Sequence, residues 1–229
     1  MYIITLFEDM GKIFSKYWYN FIVEGLSFTI ILSLVTVVLG TVLGSLFALV
    51  KIGKVKGLSW IVSAMVEVVR GTPMLLQLYI STFLIPELIP AMNSLENKKL
   101  LCVGFTLILN SACYVSEIIR SGIEAVDKGQ TEAARSLGLN KTTTMLQVVL
   151  PQAVKNILPA LGNEFITMIK ETSLASTFYI GELMTVYLAV VGKTHNSMPI
   201  LMIIGIIYFV LNFVLSKLLG IFERKMKHA

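Results

Sequence analysis

Apolar residues along this chain come in long blocks separated by short polar connections. Gly25 to Val50 is uncharged, and Leu58 to Ile85 is interrupted only by Glu67 and Arg70. Leu100 to Ile119 carries one charge, Glu117, near its end. Asn156 to Ile180 is the weakest block, with Glu164, Lys170 and Glu171 inside it, and Asn196 to Ser216 is uncharged again. A helix crosses the hydrocarbon layer with about twenty mostly apolar residues, because lipid offers the backbone no hydrogen bonds. The pattern therefore predicts an all-α polytopic membrane protein with five transmembrane helices, at about 25–50, 58–85, 100–119, 156–180 and 196–216. Ahead of them, residues 1–20 mix Phe7, Phe14, Tyr17, Trp18 and Tyr19 with Glu8, Asp9, Lys12 and Lys16. Trp and Tyr favour the headgroup level, so this segment reads as an interfacial lead-in rather than a secretory leader. It precedes a membrane domain over 21–222 and a tail over 223–229.

Composition sharpens that picture. Apolar residues make up 55% of the 229 and charged residues 14%, where a soluble domain carries roughly a quarter charged. Mean hydropathy is +0.79. A net charge of +5 could suit nucleic acid, but the basic residues sit between the apolar blocks. They are also unevenly divided. Of the 19 Lys and Arg, twelve fall on the side of Lys51, Lys54 and Lys56, which also holds the 120–155 connection and the tail; five fall opposite. Basic residues concentrate on the cytoplasmic side. The expected orientation is thus N-terminus outside and C-terminus cytoplasmic. Cys102 and Cys113 share one apolar block and read as packing residues. His195 and His228 are too sparse for a metal site, no hydrolytic constellation is present, and the chain is not expected to be an enzyme.

The 120–155 connection carries the most specific signal. It reads Glu132-Ala133-Ala134, three residues, Gly138, nine residues, then Val148-Val149-Leu150-Pro151. Residues 130–137 suit a short helix stopped by Gly138, and Asn140 could cap a second helix that Pro151 ends near Val149. Ala133 and Ala134 leave room for a partner's backbone, and Glu132 is placed as a first-turn acid. This spacing resembles the EAA loop of the permease subunits of ABC importers, departing only at Val148, where that family usually has Ile. In that family the loop is the coupling helix that docks on the ATPase, which implies an ATPase-coupling role for Glu132, Ala133, Ala134, Gly138, Leu150 and Pro151.

Two further segments resemble the polar amino acid permeases, which import histidine, glutamine, arginine or cystine. One is Glu67-Val-Val-Arg70-Gly71-Thr72-Pro73-Met74-Leu75-Leu76-Gln77; the other is Lys170-Glu171-Thr172-Ser173-Leu174 with Gly181-Glu182-Leu183. A charge within hydrocarbon needs a partner or a wet cavity. Counted along straight spans, Arg70 and Lys170 both lie about 18–20 Å deep, each beside a weak point in its helix. Glu67, Arg70, Thr72, Gln77, Lys170, Glu171, Thr172 and Ser173 are therefore substrate-path candidates. The four charges cancel, which suits a zwitterion. The alternative is that Glu67–Arg70 and Lys170–Glu171 are structural ion pairs that lock the helices together. Gly40 and Gly44 form a small-xxx-small face for helix packing.

The resemblance implies a type I ABC importer permease in a bacterial cell membrane, importing a polar amino acid. It implies two ABC ATPase subunits that bind ATP and magnesium, with no cofactor on this chain. It also implies a second permease subunit, identical or related, and an extracellular or periplasmic substrate-binding protein. The alternative is an ion-coupled secondary transporter or channel for small polar solutes, with Glu67 and Glu171 as ion sites.

Overall fold

The computed structural model describes residues 2–228. Helix α1 (Tyr2–Tyr19) does not end before the first span. It passes through a π-helical stretch, Asn20–Leu26, into α2 (Ser27–Ile52), so one helical run covers Ile3–Ile52. No residue between the two is a strong breaker, and the wider π turn absorbs the change of register. The buried faces of α1 and its neighbours explain why: Met10, Ile13 and Phe21 join Val186, Ile200 and Ile204 in one apolar cluster.

The second apolar block is not one rod. Helix α3 (Leu58–Gly71) and α4 (Met74–Leu88) meet at 112° across Thr72 and Pro73. The cause is local: Pro73 has no N–H to donate and forces its predecessor towards extended backbone, and Thr72 sits at φ −115°, ψ 148°.

Helix α5 (Lys98–Glu124) is the centre of the molecule, packed by α2, α3, α4 and α8. Close approach to α2 depends on the small face read in the sequence. A β-carbon on Gly40 would stand 2.8 Å from Ser111 Cβ, and one on Gly44 2.6 Å from the Ala112 carbonyl oxygen.

Beyond α5 come α6 (Lys128–Ser136) and α7 (Lys141–Thr144). The second of these does not stop at Pro151. Through a π turn at Met145–Val149 it runs on into α8 (Leu150–Glu171) and the 3-10 turns of Thr172–Phe178, one helical run over Lys141–Phe178. In the π turn Leu150 N–H reaches back five residues to Met145 O. Such a register shift leaves an amide with no carbonyl in line, and Pro151, with no amide hydrogen, fits there without loss. After Tyr179 and Gly181, both at positive φ, helix α9 (Leu183–Thr194) departs at 44°, and α10 (Ser197–His228) closes the chain. Among the described residues, three helical runs are long and apolar enough to cross a membrane, or five when each bent pair counts as one span.

Candidate functional site

The α3–α4 break exposes backbone groups that the sequence then satisfies. Ending α3 at Gly71 leaves its last carbonyls without helical partners. Thr72 Oγ1 donates to Val68 O at 2.9 Å, and Gln77 Nε2 lies 2.6 Å from Val69 O and 3.0 Å from Thr72 O. Asn110 Nδ2 of α5 donates to Gln77 Oε1 at 3.0 Å. Gln77 is thus a clip: it caps α3 from α4 and ties the break to the central helix.

Next to this clip lies a cavity of about 390 Å³, lined by Thr72, Pro73, Met74 and Leu75 from the break, Asn110 and Tyr114 from α5, and Glu164, Thr167, Met168, Glu171 and Leu174 from the fourth span. That volume falls within the roughly 300–1,000 Å³ of small-molecule sites. Its lining joins apolar walls with an amide, hydroxyls and two carboxyl groups, and no Lys or Arg is among these residues. Glu164 is 6% exposed and accepts a hydrogen bond from Ser111 Oγ at 3.1 Å. A larger groove of about 530 Å³ between α1 and α10 has only apolar side chains, such as Phe14, Ile207 and Val214, and nothing to orient a polar solute.

Of the substrate-path candidates, Thr72 and Glu171 line the cavity. Gln77 stands one layer behind. Thr172 is fully buried with its hydroxyl donating to Ile169 O, and Ser173 donates to Lys170 O at 2.6 Å, so both hydroxyls cap their own helix. Glu67 and Lys170 are exposed and outside the lining.

Arg70 is also elsewhere. It stacks over the Tyr114 ring at 5.3 Å and pairs with Glu117 at 3.7 Å, where Lys51 from the end of α2 also binds. Mid-depth placement therefore fails for Arg70. Depth counted from Leu58 assumes a helix along the membrane normal, and α3 instead delivers Arg70 within reach of the loop-side end of α2. Among the described residues no ion pair joins Glu67 to Arg70 or Lys170 to Glu171. The expected balance of four charges around a solute does not form; two acids face the cavity without it.

Sequence reading missed Asn110, Tyr114, Glu164 and Thr167. A signal was there. Glu164, Thr167, Met168 and Glu171 fall at i, i+3, i+4 and i+7, a single helical stripe, and Asn110 and Tyr114 are one turn apart. In the linear pattern Glu164 reads only as a weakness in the span.

The loop is more ordered than its exposure implies. Asp127 caps α6 by accepting from Gly129 N at 2.6 Å. This cap places Glu132 beyond the first turn, where no acidic residue stands, so its expected helix-dipole role is lost. At the other end Gly138 has φ +87°, its N–H donating to Arg135 O at 3.0 Å and Leu139 N–H to Ala134 O at 3.2 Å. This is the Schellman arrangement, which calls for a left-handed residue at that position. Asn140 then caps α7, accepting from Thr143 N at 2.8 Å. Ala134 is buried against its own chain, leaving Ala133 outward, and Leu137 at the tip is 83% exposed.

Residues 40–228 match the family described as the binding-protein-dependent transport system inner membrane component. The chain belongs to that family. The arginine transport system permease protein ArtQ of Bacillus subtilis (strain 168) is 40% identical over 207 residues, covering 90% of this chain and 93% of that protein. A putative glutamine transport system permease protein GlnP of Rickettsia bellii (strain RML369-C) is 39% identical, with 90% and 93% covered. Among solved structures, a crystal structure of an amino acid ABC transporter with histidines superposes with a TM-score of 0.86 at 40% identity, covering 92% of this chain and 96% of that one. The inward-facing MetNI methionine ABC transporter, at 17% identity and a TM-score of 0.72 over 92% of this chain and 98% of that one, shares the fold. This inner membrane component is accordingly a multi-pass permease subunit of an amino acid ABC transporter, with the type I importer permease fold.

Proposed function

We propose that the chain forms half of the membrane pathway of an ATP-driven importer, and that its solute is a polar amino acid with a cationic side chain. The observation that carries this reading is the cavity: two carboxyl groups, Glu164 and Glu171, with no Lys or Arg among its lining residues. A buried charge requires a partner. A guest with a second positive group supplies one, whereas a neutral zwitterion leaves one acid unanswered. The likeness to ArtQ and to a transporter solved with histidines is compatible with this choice; that to GlnP is nearly equal, so the choice rests on the cavity.

In this reading the 128–149 loop, on the side with twelve of the 19 basic residues, is cytoplasmic and docks on an ABC ATPase. Glu132, Ala133 and Gly138 shape its outer surface, with Leu150 and Pro151 at the start of α8. The chain makes and breaks no bonds; ATP and magnesium bind the ATPase. A second permease subunit completes the pathway, and a substrate-binding protein on the opposite side sets direction. The start of the helical run Ile3–Ile52 is then on the outer side.

Reconstituted vesicles test this directly. With the adjacent ATPase and binding protein, uptake of labelled arginine or histidine should require ATP and exceed that of glutamine. Uptake driven by an ion gradient alone would overturn the mechanism; preference for glutamine would overturn the solute class.

A further inference from the structure

One carboxylate gathers three cations from three helices. Glu117 Oε1 binds Lys51 Nζ, from the last turn of α2, while its Oε2 lies 2.9 Å from Arg120 Nη2 and 3.7 Å from Arg70 Nη1 at the end of α3. Arg120 is also held by Glu124 at 2.6 Å. The position of this hub gives it meaning. Tyr114, one turn before Glu117, lines the cavity and carries Arg70 over its ring. Thr72 and Pro73, directly after Arg70 and Gly71, line the same cavity. The cavity's loop-side wall therefore hangs on Arg70, and Arg70 hangs on Glu117.

We propose that Glu117 anchors a gate closing the cavity towards the loop, with Arg70 as its moving jaw; this rests on reading the cavity as the solute site. The contacts are unequal. Lys51 and Glu117 have side chains only 13% and 17% exposed, and Arg120 belongs to the same helix as Glu117. Arg70 makes the longest of the contacts and its side chain is 40% exposed. An exposed pair at that distance is the weak member of a network, since water competes for both partners. It can part while the other two hold, and its parting swings the α3–α4 break away from Tyr114. Loss of the carboxylate acts differently: Lys51, Arg70 and Arg120 would be left as like charges in a partly desolvated site. Their repulsion drives α3 outward.

The test is cysteine accessibility in vesicles holding the assembled complex. Thr167→Cys places a thiol in the cavity, and a membrane-impermeant maleimide is supplied on the loop side, with labelling located by mass spectrometry. Glu117→Gln, which keeps size but not charge, should raise labelling at position 167 about fivefold or more, equivalent to a shift of about 1 kcal/mol in the closed state. Arg70→Gln should do the same. Cys102, buried near the far end of α5, should stay unlabelled. Unchanged labelling in both variants, or an equal rise at Cys102, overturns the proposal. Should Glu117→Gln fail to assemble, Arg70→Gln decides alone, because it leaves the Lys51 and Arg120 contacts to Glu117 in place. No amino acid or ATP enters this assay, so a gate that fails here leaves the uptake result standing, and the reverse.

Discussion

A β-carbon on Gly44 would stand 2.6 Å from a backbone oxygen of α5, and backbone cannot move aside as a side-chain tip can. Gly44→Ala therefore forces α2 and α5 apart at the centre of the molecule, and overpacking of this kind costs about 1–3 kcal/mol. Thermal unfolding of the purified complex in detergent should show a lowered midpoint, with the residual fold intact. Gly138 is a different case. An added β-carbon there meets nothing within 4 Å, yet its φ is +87°. A bulky residue is penalised by conformation alone, by about 1–2 kcal/mol, and relieves it by unwinding the end of α6. Gly138→Val should thus abolish uptake and ATPase stimulation while substrate capture by the binding protein is unchanged, whereas Gly138→Asn, which tolerates the left-handed region, should retain most of both. Equal activity in the two variants would count against the docking role.

Two elements behave otherwise than their apolar lengths predict, and each has a mechanical consequence. Helix α7 and the fourth span form one rod, so displacement of the loop is passed to the cavity wall at Glu164 and Glu171 without a hinge. Replacing Leu146 and Gln147, in the π turn, with a pair of glycines weakens that rod by about 1 kcal/mol per residue. ATP hydrolysis should persist and uptake fall severalfold, measured as solute moved per ATP. The second element is the broken span. Gln77→Leu takes the clip from the partly buried Val69 and Thr72 carbonyls, a loss of about 1 kcal/mol for a hydrogen bond, and should lower the unfolding midpoint without altering ATPase docking. Much of this was legible: the five blocks, the helix stop at Gly138, the Asn140 cap, and the weak point at Gly71–Pro73. The angle at that point was not, because hydrophobic length records how much helix lipid can hold but not its direction. Arg70 was misplaced for that reason alone. Pro151 misled as a stop because a π turn is set by packing of Val149 and Ala153 against α5, not by local propensity.

At the scale of the molecule, charge placement separates two functions that the sequence mixes. Cations lie around Glu117 and along the loop, and acids line the cavity deeper among the helices. Glu164 is held by Ser111 Oγ, and Ser111 in turn abuts Gly40 where α2 meets α5. The carboxyl is therefore held at a close contact between α2 and α5, not by a mobile side chain. A carboxylate facing a cavity favours an additional positive charge: a guanidinium side chain gives it a partner that glutamine's neutral amide cannot. Glu164→Gln keeps the shape and still accepts from Ser111, so the fold and the gate should persist. A charge-assisted hydrogen bond exceeds a neutral one by about 1–2 kcal/mol. Arginine uptake should accordingly fall about tenfold or more, while glutamine uptake is unchanged or rises. The measurement is competitive uptake of both labelled solutes by the same vesicles. A parallel loss of both would mean that Glu164 supports the helix contact and not the solute. Equal retention of both would place solute recognition with Glu171 or with the binding protein outside.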